Sequence, residues 1–412
     1  MKNEIAIVGG GIAGFALALN LHKRGIACSV YEAAPEVREI GVGITLLPHA
    51  MRELNLLGVG DDVAALGIAN RESAFFNRFG QKIFGEERGR AAGYPYPEIG
   101  IHRGKLHGIL YREAVARLGS RIRTDHRFKA LEQDGDGVTL FLERMSDGSA
   151  LGAVRAAAVV ACDGVKSTIR RQFYPGEGLA FTGINTWRGL TRRKPILDGR
   201  TYLRIGSIRT GKMVIYPIAD DIDDSGDQLI NWVAEITGDG SQQNDWNTPG
   251  RREEILPIYD SFKFDWLDVG GLIRDAELVL EYPMVDRDPI ARWTFGRVTL
   301  AGDAAHPMYP RGSNGSAQAL IDARIVADRL AAGDDPAAAF QAYEAERNPA
   351  TARIVLSNRH NPPDIINLRV EELTGDRPFD ALDAFISQEE LRELSDNYKR
   401  IAGFSEADFN RS

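Results

Sequence analysis

A chain of 412 residues is too long for one ordinary hydrophobic core and implies two domains or one large composite. Hydrophobic residues at 43% and charged residues at 26% are the proportions of a soluble globular protein, and a net charge of −8 with no basic stripe argues against a nucleic-acid partner. No apolar run approaches the roughly 20 residues that cross a bilayer. The seven histidines show no metal-ligand spacing, and Cys28 and Cys162 sit in apolar runs that read as core strands in a reducing compartment. The expectation is a cytoplasmic protein with no membrane, nucleic-acid or metal partner, its first apolar run being far too short for a signal peptide.

Ile5 to Val8 form a short apolar run, read as a buried parallel strand. Gly9, Gly10, Gly11, Ile12, Ala13 and Gly14 follow as G-x-G-x-x-G, then a helical pattern with Leu17 and Leu21 on one face. A second apolar run, Ala27 to Tyr31, ends in Glu32. This is the strand, glycine turn, helix, strand and acid of a dinucleotide-binding unit. Gly9 permits the tight turn, Gly11 lets the backbone approach a pyrophosphate, and Gly14 lets the helix pack close to the strand. The helix N-terminus adds unpaired N–H groups and a partial positive charge. Glu32 suits ribose hydroxyls and would repel a 2′-phosphate.

Residues 40–45 form a loop rich in small residues, and Pro48 to Leu57 reads as a helix. Ser73 to Phe84 suggests a hairpin turning at Gly80, residues 88–98 a loop, and Lys105 to Leu118 a helix. Strands are predicted over Arg121 to Thr124, Lys129 to Gln133, Gly137 to Glu143 and Val154 to Cys162. From about residue 181 to 288 the pattern becomes alternating and aromatic. Strands fall over Asn185 to Thr191, Thr201 to Ile205, Met213 to Ile218 and Leu229 to Ile236, with an acidic loop from Asp220 to Asp227. A helix over Arg251 to Phe262 caps that sheet. Val298 to Ala301 returns to buried-strand character, and helices follow over Ser316 to Ala332 and Pro336 to Ser357. Leu391, Leu394, Tyr398 and Ile401 lie at helical spacing and read as core packing. The organisation is α/β. A Rossmann-like domain covers 1–72, 99–180 and 289–345; a β-sheet domain is inserted as 73–98 and 181–288; 346–412 is a C-terminal helical segment.

Two further motifs carry chemistry. Asp163-Gly164-x-x-Ser167-x-x-Arg170 ends a strand at an Asp-Gly turn and starts a helix near Ser167. Val298 to His306 (VTLAGDAAH) delivers Asp303 at the carboxyl end of a strand, where ligands sit in open α/β sheets. Asp303 is therefore placed to bind the hydroxyls of a ribityl or ribose chain. Pro307 to Gly315 form a loop in which Gly312 and Gly315 admit a flat ring system to the backbone. The helix from Ser316 would aim its positive end at that ring, which suits an anionic reduced flavin.

Together, Gly9-x-Gly11-x-x-Gly14, Asp163-Gly164-x-x-Ser167-x-x-Arg170 and Gly302-Asp303-Ala304-Ala305-His306-Pro307 resemble the FAD-dependent aromatic hydroxylases, the group that includes 4-hydroxybenzoate hydroxylase. The resemblance covers about residues 1–360. Gly41 to Ile44, Ile101 to Gly104, Trp187-Arg188-Gly189, Tyr282 to Pro289 and Met308-Tyr309-Pro310 add a closer likeness to the phenazine hydroxylases of pyocyanin synthesis. The resemblance implies that FAD lies along the first domain, with its pyrophosphate over Gly11, Ile12 and Ala13 and its adenosine ribose on Glu32. Gly43 and Ile44 would flank the cofactor, and Arg103 would lie near the pyrophosphate and ribityl chain. Asp163 would belong to the shared FAD/NAD(P)H motif, Asp303 would hold the ribityl chain, and Pro310, Gly312, Ser313, Asn314 and Gly315 would face the isoalloxazine. NADH or NADPH would bind transiently, without a second nucleotide fold. The implied reaction is monooxygenation with O2 through a flavin C4a-hydroperoxide, on a small aromatic or N-heteroaromatic substrate, by a monomer or homodimer.

The family often has Gly-Gly-Gln-Gly in the flavin loop where this chain has Gly312-Ser313-Asn314-Gly315, and Arg311 stands where an uncharged residue is more usual. Arg311 is expected to pair with an anionic substrate or to bias the flavin, the alternative being a solvated arginine at the pocket rim. Position in the second domain nominates Leu46, Trp187, Tyr202, Arg204, Tyr216 and Trp232 for the substrate, with Arg311 and Tyr216 the candidates for a catalytic role. Other readings of the same motifs are an epoxidase, an antibiotic-inactivating monooxygenase, or a non-catalytic FAD-binding regulator. The absence of W-x-W-x-I-P weighs against a halogenase.

Overall fold

The computed structural model describes residues 4–220, 222, 224–238, 248–333 and 335–409, so Asp221 and Asp223 of the expected acidic loop lie outside the described residues. Its first sheet has six strands in the order Thr294–Phe295, Val298–Leu300, Ala158–Ala161, Ile5–Val8, Cys28–Tyr31, Ile122–Arg123. All neighbours are parallel except the first pair. The strands Ile5–Val8, Cys28–Tyr31 and Ala158–Ala161 are buried along their whole length, which is why they read as continuous apolar runs. The helices Ile12–Lys23 and Gly315–Ala331 pack against each other on this sheet.

The strand expected over Val154 to Cys162 is two strands. Ala150–Ala156 pairs with Val138–Glu143 in a separate antiparallel sheet completed by Arg127–Gln133, while Ala158–Ala161 joins the parallel sheet. Apart from Arg155 the run is apolar on both sides, so hydropathy does not mark the break at Ala157, whose N–H donates to the Glu4 carbonyl. Residues 88–98 are not a plain loop either. Gly89–Ala92 is a 3-10 turn, and Glu98 opens a strand, Glu98–His102, between Gly43–Leu46 and Ile68–Asn70.

The second large sheet has eight strands, in the order Thr248–Pro249, Leu278–Asp286, Ala180–Arg193, Gln228–Thr237, Gly211–Ala219, Thr201–Ser207, Glu72–Phe76, Lys82–Glu87. The strand Leu278–Asp286 was not anticipated. The helices Arg252–Tyr259 and Val269–Arg274 cover one face, with Trp187, Leu203, Ile205, Met213, Ile215, Trp232, Tyr259 and Leu272 in the core between them. The small three-stranded sheet lies against the other: a Cβ on Gly100 would stand 2.5 Å from the Pro217 carbonyl oxygen. This face looks towards the nucleotide domain, and the candidate site is built on it.

The helix Pro336–His360 runs unbroken through the boundary expected at 345/346. In the helix Gln388–Ala402 a capping box joins Ser387 and Glu390. Leu391 and Leu394 pack with Phe75, Ile83 and Phe84, and Tyr398 packs with Leu47 and Phe404. The stripe is core packing.

Candidate active site

The glycine turn is built as tightly as its spacing implies. Gly9 has φ +101, and a Cβ there would meet the Cys162 carbonyl oxygen at 2.4 Å. A Cβ on Gly14 would lie 1.9 Å from the Gly9 carbonyl oxygen. Gly11 is different: nothing stands within 4 Å of its would-be Cβ, so the space in front of the helix N-terminus at Ile12 and Ala13 is open. Glu32 accepts from the N–H groups of Gly10 at 2.6 Å and Ala34 at 2.7 Å, which orients its carboxylate at the turn and leaves a lone pair on each oxygen. His107, which the sequence did not single out, contacts the Gly10 carbonyl at 2.6 Å and stacks on Phe15.

Several polar atoms near this opening have no partner among the described residues. Asp163 Oδ2 accepts from Thr168 N–H at 2.8 Å and Ile169 N–H at 3.2 Å, while Oδ1 is buried with no partner. Burial raises its pKa, against the hydrogen bonds that lower it. Among the described residues Asp303 makes no hydrogen bond or ion pair, and neither does the exposed guanidinium of Arg103. Asp303 is solvent-accessible in a recess whose desolvation raises its pKa, partly offset by His306 and Arg103. Ser316 Oγ is buried and unpartnered in the first turn of Gly315–Ala331, and only Met308 comes within 4 Å of the Gly315 would-be Cβ. An open helix N-terminus, two unpaired charges and two orphaned oxygens fit an extended cofactor with a diphosphate and a hydroxylated chain.

The two downstream motifs are one structure. Ser167 caps the helix Thr168–Phe173, and Arg170 crosses to donate to the carbonyls of Ala304 at 3.1 Å and Ala305 at 2.8 Å. From the other side, Asp322 accepts from Gly302 N–H at 3.1 Å, contacts His306 Nε2 at 2.5 Å and pairs with Arg347 at 2.7 Å. Burial raises the Asp322 pKa, but His306 and Arg347 outweigh it and hold the carboxyl below the usual range. The turn that carries Asp303 is thus fixed from both flanks, and neither Arg170 nor Asp322 faces the opening.

Register settles which sheet residues face the site. Tyr202, Tyr216, Val214, Leu190, Leu280 and Tyr282 cluster on the nucleotide-domain face with Val42. Tyr202 and Tyr216 stack at 5.0 Å. Burial pushes the Tyr216 hydroxyl up, with Tyr202 adding to this and Arg188 opposing it, so Tyr216 stays protonated and is a donor, not a base. Arg204 is buried on this face, donating to Ser73 Oγ and lying over the Phe75 and Tyr202 rings. Asn231 accepts from Gly43 N–H at 2.7 Å, and its Nδ2 is buried without a partner. Arg188 lies over the Tyr282 ring at 4.7 Å with its Nε buried and unpartnered.

Several expectations are corrected. Trp187 and Trp232 point to the helix-covered face; Trp232 is fully buried and donates to Thr191 Oγ1 at 3.1 Å. Leu46 and Ile44 point into the core of the nucleotide domain, because in Gly43–Leu46 the opposite parity, Gly43 and Thr45, faces the sheet. Gly43 lacks a side chain because Asn231 occupies that space, 2.6 Å from a would-be Cβ. Gly312 likewise makes room for Tyr398, whose hydroxyl would sit 1.4 Å from its Cβ. Asn314 is buried and turned inward, 2.9 Å from His49 and 3.3 Å from the Tyr398 hydroxyl. Pro310 and Gly312 form a 3-10 turn, and Ser313 follows at φ +54. Arg311 is neither a solvated rim residue nor free for a substrate. It pairs with Asp364, which also contacts Lys212 at 3.2 Å, and Lys212 in turn contacts Glu235 at 2.8 Å.

Arg188, Asn231 and the C-terminal Asp364 were missed. A signal for the first two was present. Along the middle of two central strands one parity is apolar and the other carries polar or charged residues: Tyr202 and Arg204 against Leu203 and Ile205, Asn231 and Glu235 against Trp232 and Ala234.

This architecture, a parallel nucleotide-binding sheet with an open glycine turn joined to a sheet roofing the same opening, defines a flavoprotein monooxygenase. A family model described as an FAD binding domain matches residues 2–187 and 283–357, more than half of the chain, and the chain belongs to that family. It is an FAD-dependent enzyme of the aromatic-hydroxylase class, for which NAD(P)H and O2 are the typical co-substrates. It is 40% identical over 364 residues to the phenazine 1,6-dicarboxylic acid hydroxylase PhzS of Lysobacter antibioticus, covering 87% of this chain and 89% of that protein. It is 31% identical over 372 residues to the 3-hydroxybenzoate 6-hydroxylase of Polaromonas naphthalenivorans, covering 86% of each. The fold matches Klebsiella pneumoniae HpxO complexed with FAD and uric acid, with a TM-score of 0.75 over 97% of this chain and 95% of that one at 24% identity. Among the described residues no helix is long and apolar enough to cross a membrane.

Proposed function

We propose that this enzyme hydroxylates a small, planar, carboxylated fused-ring aromatic of the phenazine type. The observation that carries the reading is the half-buried Arg188 guanidinium, which faces the nucleotide domain among Tyr216, Tyr282 and Leu280 without a carboxylate partner among the described residues. Aromatic walls with an uncompensated cation suit an aromatic anion. The 40% identity to a phenazine dicarboxylate hydroxylase supports the same class.

FAD would be held at Gly11, Ile12 and Ala13 for the pyrophosphate, Glu32 for the adenosine ribose, Arg103, Asp163 and Asp303 for the central chain, and Ser313 to Ser316 for the ring end. The chemistry FAD supplies when bound is reduction by NADH or NADPH and activation of O2 for insertion of one oxygen atom. The chain's own contribution is placement and exclusion of water. Tyr202 and Tyr216 form a stacked wall, Asn231 offers an unpartnered N–H, and Tyr216 keeps its proton for donation to a ring oxygen or nitrogen. The organisation expected for the domains stands as a proposal, with the C-terminal segment opening after residue 360. We further place the enzyme in the cytoplasm, as a monomer or homodimer, in keeping with two buried free thiols.

Aerobic NADH and NADPH oxidation by the FAD-loaded protein, measured with carboxylated phenazines, hydroxybenzoates and quinolines and followed by mass spectrometry, tests the reading. A phenazine carboxylate product heavier by one oxygen is the expected result. Stimulation by hydroxybenzoates alone would overturn the substrate class. A bound flavin with no stimulation by any compound would favour the regulator.

A further inference from the structure

The flavin-facing side of the eight-stranded sheet is crossed by rows of residues in register. Tyr202, Tyr216, Asn231 and Leu190 form one row. Two residues along, Arg204 pairs with Val214, Val214 with Val233, and Val233 with Arg188. Two residues further, Lys212 pairs with Glu235 and Glu235 with Thr186. The loops that would flank a flavin touch the outer rows. Gly43 is tied to Asn231 in the first, and Arg311 is tied through Asp364 to Lys212 in the third. The middle row is therefore the strip between them, a floor of two valines with an arginine at each end. Three strand spacings separate those arginines, about 14 Å between their Cα atoms.

Charge distinguishes the rows. The four charges around the third are mutually compensated, two cations by two carboxylates. The two arginines of the middle row have no carboxylate among the described residues: Arg204 donates to a serine hydroxyl and lies over aromatic rings, and Arg188 lies over Tyr282. A buried and a half-buried guanidinium, both left without a carboxylate, are costly unless a ligand supplies the countercharge. We propose that the substrate is a dianion, a planar fused-ring dicarboxylate lying across Val214 and Val233 with one carboxylate at Arg188 and the other at Arg204. This rests on the phenazine-type reading given above and adds the second carboxylate and the residues that seat both. Thr186 Oγ1, buried and unpartnered beside Arg188, offers a further hydrogen bond at that end.

The test uses the FAD-loaded enzyme with phenazine-1,6-dicarboxylate, phenazine-1-carboxylate and unsubstituted phenazine. Dissociation constants come from perturbation of the flavin spectrum, and KM and kcat from NAD(P)H oxidation. The wild type should bind the dicarboxylate at least tenfold more tightly than the monocarboxylate, since each seat is a charge-assisted hydrogen bond. Arg188→Met should weaken the dicarboxylate at least tenfold, chiefly in KM, and abolish the preference for it, while Arg188→Lys recovers part. Arg204→Met should do the same; if it fails to fold, Arg188→Met decides, being half-buried and free of internal hydrogen bonds. Equal binding of phenazine and its dicarboxylate by the wild type, or a wild-type preference retained in Arg188→Met, overturns the proposal and leaves phenazine hydroxylation standing. If none of the three binds or is turned over, the phenazine reading itself fails and this proposal falls with it.

Discussion

The ion pair between Arg311 and Asp364 joins the flavin loop to the C-terminal segment, and its removal from either side should have unequal effects. Asp364 is shared by Arg311 and Lys212, and both its side chain and that of Lys212 are almost fully buried. Asp364→Asn leaves Arg311 buried without its carboxylate, whereas Lys212 keeps Glu235 at 2.8 Å. Stranding one charge of a buried pair costs about 3–5 kcal/mol. Arg311→Met leaves Asp364 against Lys212 at 3.2 Å, so the loss is that of a charged hydrogen bond, about 1.5–3 kcal/mol. The double variant strands nothing and should cost less than Asp364→Asn alone, a coupling that a double-mutant cycle reads directly. Urea unfolding of the FAD-loaded protein, followed by flavin fluorescence and far-UV circular dichroism, measures all three. Burial raises the Asp364 pKa, but Lys212 and Arg311 outweigh it and hold the carboxyl below the usual range. A group depressed on folding stabilises above its unfolded pKa, near 3.9, and loses that contribution as pH falls through the folded value. The gap between wild type and Asp364→Asn should hold from pH 8 to pH 5 and close only in stronger acid. Equal costs for the two single variants, or costs that simply add, would refute the shared-anion arrangement.

Four further variants test the same geometry. Gly11→Ala meets open space, so the apoprotein should unfold like wild type while its FAD dissociation constant rises at least tenfold. Gly14→Ala drives a methyl into the Gly9 carbonyl and should yield destabilised, FAD-free protein; flavin content and apoprotein unfolding separate the two. Asp303→Asn removes a carboxylate with no internal hydrogen bond, so apoprotein stability should stay within about 0.5 kcal/mol of wild type. Its FAD affinity should fall on the order of tenfold or more in reconstitution titrations; a large stability loss would show that Asp303 is structural. Trp232→Phe should lower stability by about 1–3 kcal/mol by creating a cavity and leaving Thr191 without its donor, yet leave substrate KM within twofold. A tenfold KM change would return Trp232 to the pocket.

What the sequence made legible divides along a physical line. Local backbone chemistry was readable, because Gly9, Gly14 and Glu32 act on neighbours within one βαβ unit and their spacing states their job. The partners of Gly312 and Arg311 were not, because Tyr398 and Asp364 approach from a segment some fifty to ninety residues away that carries no motif. A glycine in a flavin loop therefore looked like an opening for the ring when it is an opening for a tyrosine. The substrate face failed for a different reason. Alternation fixes which residues of a strand share a face but not which face is which, and choosing the bulkiest aromatics selected Trp187 and Trp232, the centre of the helix-covered core. The discriminating feature was polarity by parity. A face packed under amphipathic helices can afford no cation, so Lys212, Arg188 and Arg204, all of one phase once the register is drawn, had to point the other way. The same logic underlies the proposed site: among the described residues two of these three cations, Arg188 and Arg204, have no carboxylate partner, and both belong to the face turned toward the nucleotide domain.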